Sequence, residues 1–384
     1  MANHTATSAC PKIQTFRPTE KQFSEFSNYV KYMESCDAHK AGIAKVIPPL
    51  GYVPRMAGYQ DINDMTIPSP LLQIAVGTQG SYRLINLPKE QMTVREFHDY
   101  TETKHFTPSH VNFAELERKY WKTLLYTNPI YGAGVEGSLM DTTCKLWNVN
   151  KLVDSGMGED NAEYQGPGST SFLYFGSWKT TFGWHIEDMD LYSIDYLHFG
   201  KPRTWYAIPP EYGHAFEQLA QTLFPDKSQK CASLLRHKDI IISPEIVRDN
   251  AIPCDKITQE SGEFIVTFPF GYHFGFNHGY NCSESNNFAT TRWIEYGKRA
   301  SHCACYDDEV TIDKESFVER FQPEKYDAWM AGNDWGVHPE DDTRRRWPCG
   351  KNKQAATNIS QDEQISLNAS SSNVYEEHNY CSLE

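Results

Sequence analysis

The sequence predicts a mixed α+β protein, a β-rich core flanked by helices, on three observations. From Ser171 onward the chain breaks into short β-branched and aromatic runs, "SFLYFG", "LYSIDYLHFG", "TWYAIPP", "DIIIS" and "GEFIVTFPFGY", separated by Gly, Pro and polar turns. Before Ser171, three segments carry the reciprocal caps that open helices. The 384 residues, 39% hydrophobic and 13% aromatic, are ample for a large buried core plus one or two satellite units.

Taken in order, Thr19 with Gln22 opens a helix that carries Phe23, Phe26, Val30 and Met33. The stretch "AKVIPPLGYVPR" (44–55) is punctuated by proline and excludes a long helix, so residues up to about 57 read as a small separate unit. Thr93 with Glu96, and Asn112 with Glu115 ahead of Leu116, Tyr120 and Leu124, make the rest of the first half mainly helical. The β core is interrupted by one amphipathic helix, Glu211 to Phe224, and helices resume in "DKESFVERF" and "EKYDAWMAG". After Trp347 the chain is polar and rich in Ser and Asn, which predicts a disordered tail. The sequons at Asn358 and Asn368 fall there and read as chance matches.

Composition narrows the function. No stretch approaches the roughly 20 apolar residues of a membrane span, and "MANHTATSAC" lacks a signal-peptide pattern, so an intracellular protein without a membrane partner is expected. The ten cysteines are then expected to be free or metal-bound rather than bridged. A net charge of −14 disfavours generic binding to nucleic-acid backbone, shows no sign of direct sequence-specific nucleic-acid recognition, and is compatible with a cationic peptide.

Two constellations suggest metals. His185-x-Glu187 runs into the strand pattern "DMDLYSIDYLHF", and residues i and i+2 of a strand share a face, so both side chains can grip one cation. By contrast, His338-Pro339-Glu340 flanks a proline in an acidic, Arg-rich loop and reads as a solvated charge run. A two-His, one-carboxylate triad for Fe(II) needs a second imidazole from a distant strand, and "VTFPFGYHFGFNHG" offers His273 and His278, either of which fits the pattern. Separately, Cys231 and His237 in "KCASLLRHKD" and Cys303 and Cys305 in "SHCACYDD" supply three thiolates and an imidazole. That is the donor set of a closed, tetrahedral, structural Zn(II) site.

The segments "FGWHIEDMDLYSIDYLHFG", "LRHKDIIISP", "ITQESGEFIVTFPFGYHFGFNHGYNCSESNNFATTRWIEYGK" and "TFRPTEKQFSEFSNYVKYMES…AHKAGIAKVIPP" resemble the jumonji lysine demethylases that carry JmjN and JmjC domains. The subfamily they are most similar to is the JMJD-two group of histone trimethyl-lysine demethylases, and the likeness runs from about residue 14 to 330. The resemblance implies a double-stranded β-helix, or cupin-like jelly roll, as the JmjC core (141–307). Around it are expected a JmjN unit (14–57), a mainly helical region (58–140), a helical, zinc-associated region (308–348) and the tail (349–384).

It further implies Fe(II) on His185, Glu187 and His273, and structural zinc on Cys231, His237, Cys303 and Cys305. The co-substrate 2-oxoglutarate falls to Tyr131, Asp195, Arg203, Phe182 and Trp205. Tyr174, Ser285 and Asn286 surround a methyl-ammonium pocket, where oxygen atoms receive the polarised methyl groups. Asn86, Asp188 and Lys238 lie near the peptide. The implied reaction uses O2 and 2-oxoglutarate to oxidise an N-methyl group of a methylated histone tail, releasing formaldehyde, succinate and CO2. Because no nitrogen lone pair is needed, a trimethyl-ammonium qualifies, and the setting would be chromatin in the nucleus.

The chain departs from the family pattern where Arg203 stands for lysine and Asp195 for asparagine at the co-substrate. An ionised Asp195 only accepts hydrogen bonds, so it repels a second carboxylate unless it pairs with Arg203. Phe274 replaces a small residue beside His273, and Pro88 and Gly134 replace polar residues near the peptide. These departures leave two other readings, a catalytically weakened methyl-lysine-binding chromatin protein and a protein hydroxylase with the same iron chemistry.

Overall fold

The computed structural model describes residues 10–104, 107–152, 170–303, 305, 314–334 and 336–341. The expected tail from 349, its sequons and the first nine residues lie outside that set.

Two sheets form a jelly roll. The larger has ten strands in the order Gln14–Phe16, Ile43–Val46, Phe264–Thr267, Tyr192–Gly200, Asn281–Phe288, Phe172–Gly176, Ile130–Glu136, Leu71–Thr78, Ser81–Pro88 and Ile240–Ile242. The smaller runs Asp255–Gln259, Arg203–Ile208, Tyr272–Asn277 and Thr181–His185. Strands covered on both faces read as continuous apolar runs. Phe264–Thr267 is buried at every residue, and so is Arg203–Ile208. Ile43 and Ile265 of the larger sheet pack in one cluster with Trp205 and Ala207 of the smaller.

The N-terminal helix starts where its cap predicts: the Thr19 hydroxyl accepts the Gln22 N–H, and the Gln22 side chain accepts the Thr19 N–H at 2.9 Å. It stops after one turn, Glu20–Phe23, and resumes as Phe26–Ser35, which buries Phe26, Tyr29, Val30 and Met33. This region is not a satellite. Its strand Ile43–Val46 pairs antiparallel with Phe264–Thr267, because so short a strand has no core of its own. Trp147 completes the join, stacking on Phe23 at 4.9 Å and donating its indole N–H to the Phe23 carbonyl at 2.9 Å.

Residues 58–140 are not mainly helical. The two capped helices are present, as Val94–Lys104 and Phe113–Thr123. Between the first unit and these helices, Leu71–Thr78 and Ser81–Pro88 form a hairpin that extends the large sheet. Its turn residues Gln79 and Gly80 both have positive φ, 51° and 87°, the conformation that a two-residue hairpin loop demands. Later, the helix expected at Glu211 to Phe224 spans Gly213–Leu223, and the two C-terminal helices are Lys314–Phe321 and Pro323–Met330. Two further helices, Pro225–Lys230 and Pro244–Asp249, each begin on a proline at the first helical turn.

Trp147→Ala removes a fully buried ring and its hydrogen bond, so unfolding by denaturant should show a loss of about 3–5 kcal/mol. Protection of the Phe26–Ser35 amides in hydrogen exchange should fall with it.

Candidate active site and metal centres

Antiparallel pairing between Thr181–His185 and Tyr272–Asn277 sets His185 directly opposite His273, with ring centroids 4.2 Å apart. Glu187 follows in extended conformation and brings Oε1 to 3.3 Å from His273 Nε2 and 3.9 Å from His185 Nε2. Both imidazoles donate Nδ1–H to a backbone carbonyl, His185 to Gly183 at 2.7 Å and His273 to Gly271 at 3.0 Å, which points each Nε2 at the shared centre. Cis ligands at bond lengths of about 2.1 Å sit about 3 Å apart, so the set fits a divalent ion.

Burial, with His273 and Lys238 nearby, holds the His185 pKa well below the usual imidazole value, so its ring is neutral. Burial alone would raise the Glu187 pKa. The hydrogen bond with His273 and the charge of Lys238 reverse this and keep the carboxylate ionised. His278, the alternative imidazole, is elsewhere: it lies 2.6 Å from the Thr204 hydroxyl and packs on Phe276, and burial pushes its pKa down to about 3.

One cavity of about 710 Å³ opens beside these three residues and is lined by Tyr131, Asp195, Arg203, Phe182, Trp205, Tyr174, Ser285, Asn286, Asn86, Asp188 and Lys238, while Pro88 is not on its wall. Tyr131 and Tyr174 have phenol pKa values raised by burial, so both hydroxyls stay protonated donors. Arg203 pairs with Asp195, its Nη1 donating to both carboxylate oxygens at 2.8 Å and to the Ser283 hydroxyl at 2.7 Å. Its guanidinium lies over the Phe182 and Trp205 rings at 5.0 and 4.9 Å, and its buried Nε has no hydrogen-bond partner. The pair is therefore a neutral unit with one edge of the fork unused. Phe274 turns away from the cavity and packs against Trp184 at 5.4 Å, because alternation sends it to the opposite face from His273.

The thiols and the imidazole also converge. Cys231 Sγ is 3.7 Å from Cys303 Sγ, which is 3.3 Å from His237 Nε2, and with Cys305 the four ligand atoms lie within 4.8 Å of one another. Tetrahedral Zn–S bonds place sulfurs about 3.8 Å apart, so the donor set fits zinc. Burial and the neighbouring thiols push the Cys231 pKa up to about 11, a penalty that a bound cation removes. No disulfide joins cysteines among the described residues.

Residues 172–288 match the family described as JmjC domain, hydroxylase, and residues 14–48 match the jmjN domain. The chain is a JmjN- and JmjC-domain protein. It is 51% identical over 87% of its length to Lysine-specific demethylase 4B of Mus musculus, covering 31% of that protein. It is 50% identical over 85% to Lysine-specific demethylase 4D of Rattus norvegicus, covering 64%, and 49% identical over 85% to Probable lysine-specific demethylase 4F of Homo sapiens, covering 51%. The chain thus spans from about a third to just under two thirds of these curated relatives.

A third cluster behind the JmjC site corrects the reading of His338 as part of a solvated run. His338 is buried, its Nε2 3.2 Å from Asp190 Oδ2, and with His214 and Asp341 it forms a group close enough to hold an ion. The His338 nitrogens are already engaged, since Nδ1 accepts the Glu340 N–H at 3.2 Å. His214 pairs with Glu217 at 2.9 Å and with Asp341 at 3.1 Å. Glu340 is not solvent-bound either: it accepts from the Tyr296 hydroxyl at 2.7 Å.

Sequence reasoning missed Asn287, whose amide donates to Glu187 Oε2 at 3.0 Å, and Gln259, whose amide donates to Asp195 Oδ1 at 3.0 Å. Strand alternation from Ser285 offers a signal for Asn287. Nothing local marks Gln259.

If zinc fills this set, chelating it should make Cys231, Cys303 and Cys305 reactive toward a thiol reagent and lower the melting temperature. Cys303→Ser should co-purify with far less than one zinc per chain by elemental analysis. A metal-free protein with unchanged melting would contradict the assignment.

Proposed function

We propose that the chain is an Fe(II)- and 2-oxoglutarate-dependent lysine demethylase that acts on a tri- or dimethylated histone tail, in chromatin and hence in the nucleus. The observation that carries the reading is the single cavity in which the two-His, one-acid triad, a carboxylate-binding arginine and oxygen-rich walls meet. The relatives' printed names, Lysine-specific demethylase, support the same reaction class.

In this reading His185, Glu187 and His273 would hold iron through two imidazoles and one carboxylate. Iron bound there would supply the oxidative chemistry by which one oxygen atom of O2 enters an N-methyl C–H bond and the other enters the succinate formed, with CO2, from 2-oxoglutarate. The hydroxymethyl amine so formed breaks its C–N bond to give formaldehyde and an amine with one methyl group fewer. The protein's own work is placement. The unused edge of Arg203 and the Tyr131 hydroxyl receive the distal carboxylate of the co-substrate, flanked by Phe182 and Trp205. Tyr174, Ser285 and Asn286 offer oxygen atoms to the methyl-ammonium group, and Asn86, Asp188 and Lys238 line the route of the peptide. Zinc on Cys231, His237, Cys303 and Cys305 is structural, because a closed four-ligand set has no position for a reactant.

Formaldehyde release from trimethyl-lysine histone peptides, required to depend on both Fe(II) and 2-oxoglutarate, tests this. A retained gain of one oxygen by mass spectrometry, with no loss of CH2, would instead make the protein a hydroxylase.

The Asp195–Arg203 pair favours a second reading, a methyl-lysine-binding chromatin protein with weakened turnover. Because Asp195 takes up the charge of Arg203, a bound dicarboxylate meets a neutral pair in place of a free cation and is held less tightly. Asp195→Asn should therefore tighten 2-oxoglutarate by tenfold or more in calorimetric titration with Mn(II) in place of iron. Unchanged or weaker binding would show that Asp195 serves only to orient Arg203.

A further inference from the structure

Glu187 enters a tight turn: Met189 and Asp190, two and three residues on, both have positive φ, 54° and 53°. Side chains outside the triad close this turn. The Arg236 side chain is 4% exposed, and its guanidinium donates from Nη1 to the backbone carbonyl of Glu187 and from Nη2 to Oδ1 of Asp190. Asp190 Oδ2 takes a further hydrogen bond from His338 Nε2 at 3.2 Å, and the accepting role of His338 Nδ1 fixes the proton on Nε2. The His338 ring lies 4.6 Å from Phe270, the residue before Gly271, whose carbonyl orients His273. On the other side, Arg236 adjoins His237 of the thiol cluster, and the Lys238 carbonyl accepts the Gly183 N–H at 3.1 Å on the strand that carries His185.

We propose that Arg236 is a positioning residue for Glu187, and that through it the zinc-bound turn and the His338 segment set how tightly the triad holds its ion. The inference rests on reading His185, Glu187 and His273 as a cation site. A planar fork can bind a carbonyl and a carboxylate at once, whereas an ammonium serves as a single point charge. Arg236→Lys keeps the charge beside Asp190 and gives up the bridge to Glu187. Partners of this kind, one step removed from a metal, set its affinity by about 10–100-fold.

The test uses the zinc-loaded full chain titrated with Mn(II), with free Mn(II) read by electron paramagnetic resonance. Arg236→Lys should weaken binding by about tenfold or more at unchanged zinc content, and His338→Leu, which loses the contact to Asp190, by a smaller factor. Affinity within twofold of the unaltered protein in Arg236→Lys overturns the proposal. Should that variant fail to fold, unchanged affinity in His338→Leu does the same. His185→Ala is the control: if it binds Mn(II) as tightly as the unaltered protein, the cation-site reading fails, and the inference with it.

Discussion

Everything at the centre of this molecule depends on the register between Thr181–His185 and Tyr272–Asn277, which sets His185 against His273. A slip of one residue would turn every side chain of one strand to the other face of the sheet. The imidazole would then enter the aromatic layer where Phe274 now meets Trp184, and that aromatic layer is what forbids the slip. Gly183 adds a second constraint. A Cβ there would come within 2.5 Å of the Lys238 carbonyl oxygen, so only glycine lets the strand approach the chain that carries His237. The same packing that stabilises the jelly roll fixes the geometry of the site.

The second theme is the management of buried charge. Asp195 with Arg203, Asp190 with Arg236, and Lys45 with Glu263 each hold ionic groups inside the fold. Such pairs contribute little net stability, because desolvation offsets their attraction, and losing one partner is costly. They fix orientation. Arg203 illustrates this: Asp195 and Ser283 occupy one nitrogen of its fork, so the remaining edge has a set direction at the cavity.

Much of this was legible in the sequence wherever the signal is local. The capping pairs at Thr19, Thr93 and Asn112 mark true helix starts, and the His-x-Glu spacing is meaningful because it falls at a strand end. The hairpin 71–88 was hidden because Val76, Ile85 and Leu87 are partly exposed on its outer surface, which blurs the alternation of apolar and polar residues. His338 was hidden for the opposite reason. Its surroundings in sequence are polar, while its burial comes from Phe270 and Tyr296, more than forty residues away. Choosing His273 over His278 required register, which spacing does not supply and the family resemblance does.

The order of the large sheet carries a consequence of its own. It ends on one side with Gln14–Phe16 and on the other with Ile240–Ile242, each only three residues long. A long open border would present a ladder of backbone donors and acceptors to any neighbouring molecule, the usual start of fibrous association. Stubs of three residues offer little template, but Ile240–Ile242 covers only Ser81, Tyr82 and Arg83 of its eight-residue neighbour, so the uncovered border lies along the rest of that strand, where Pro88 ends it without a donor.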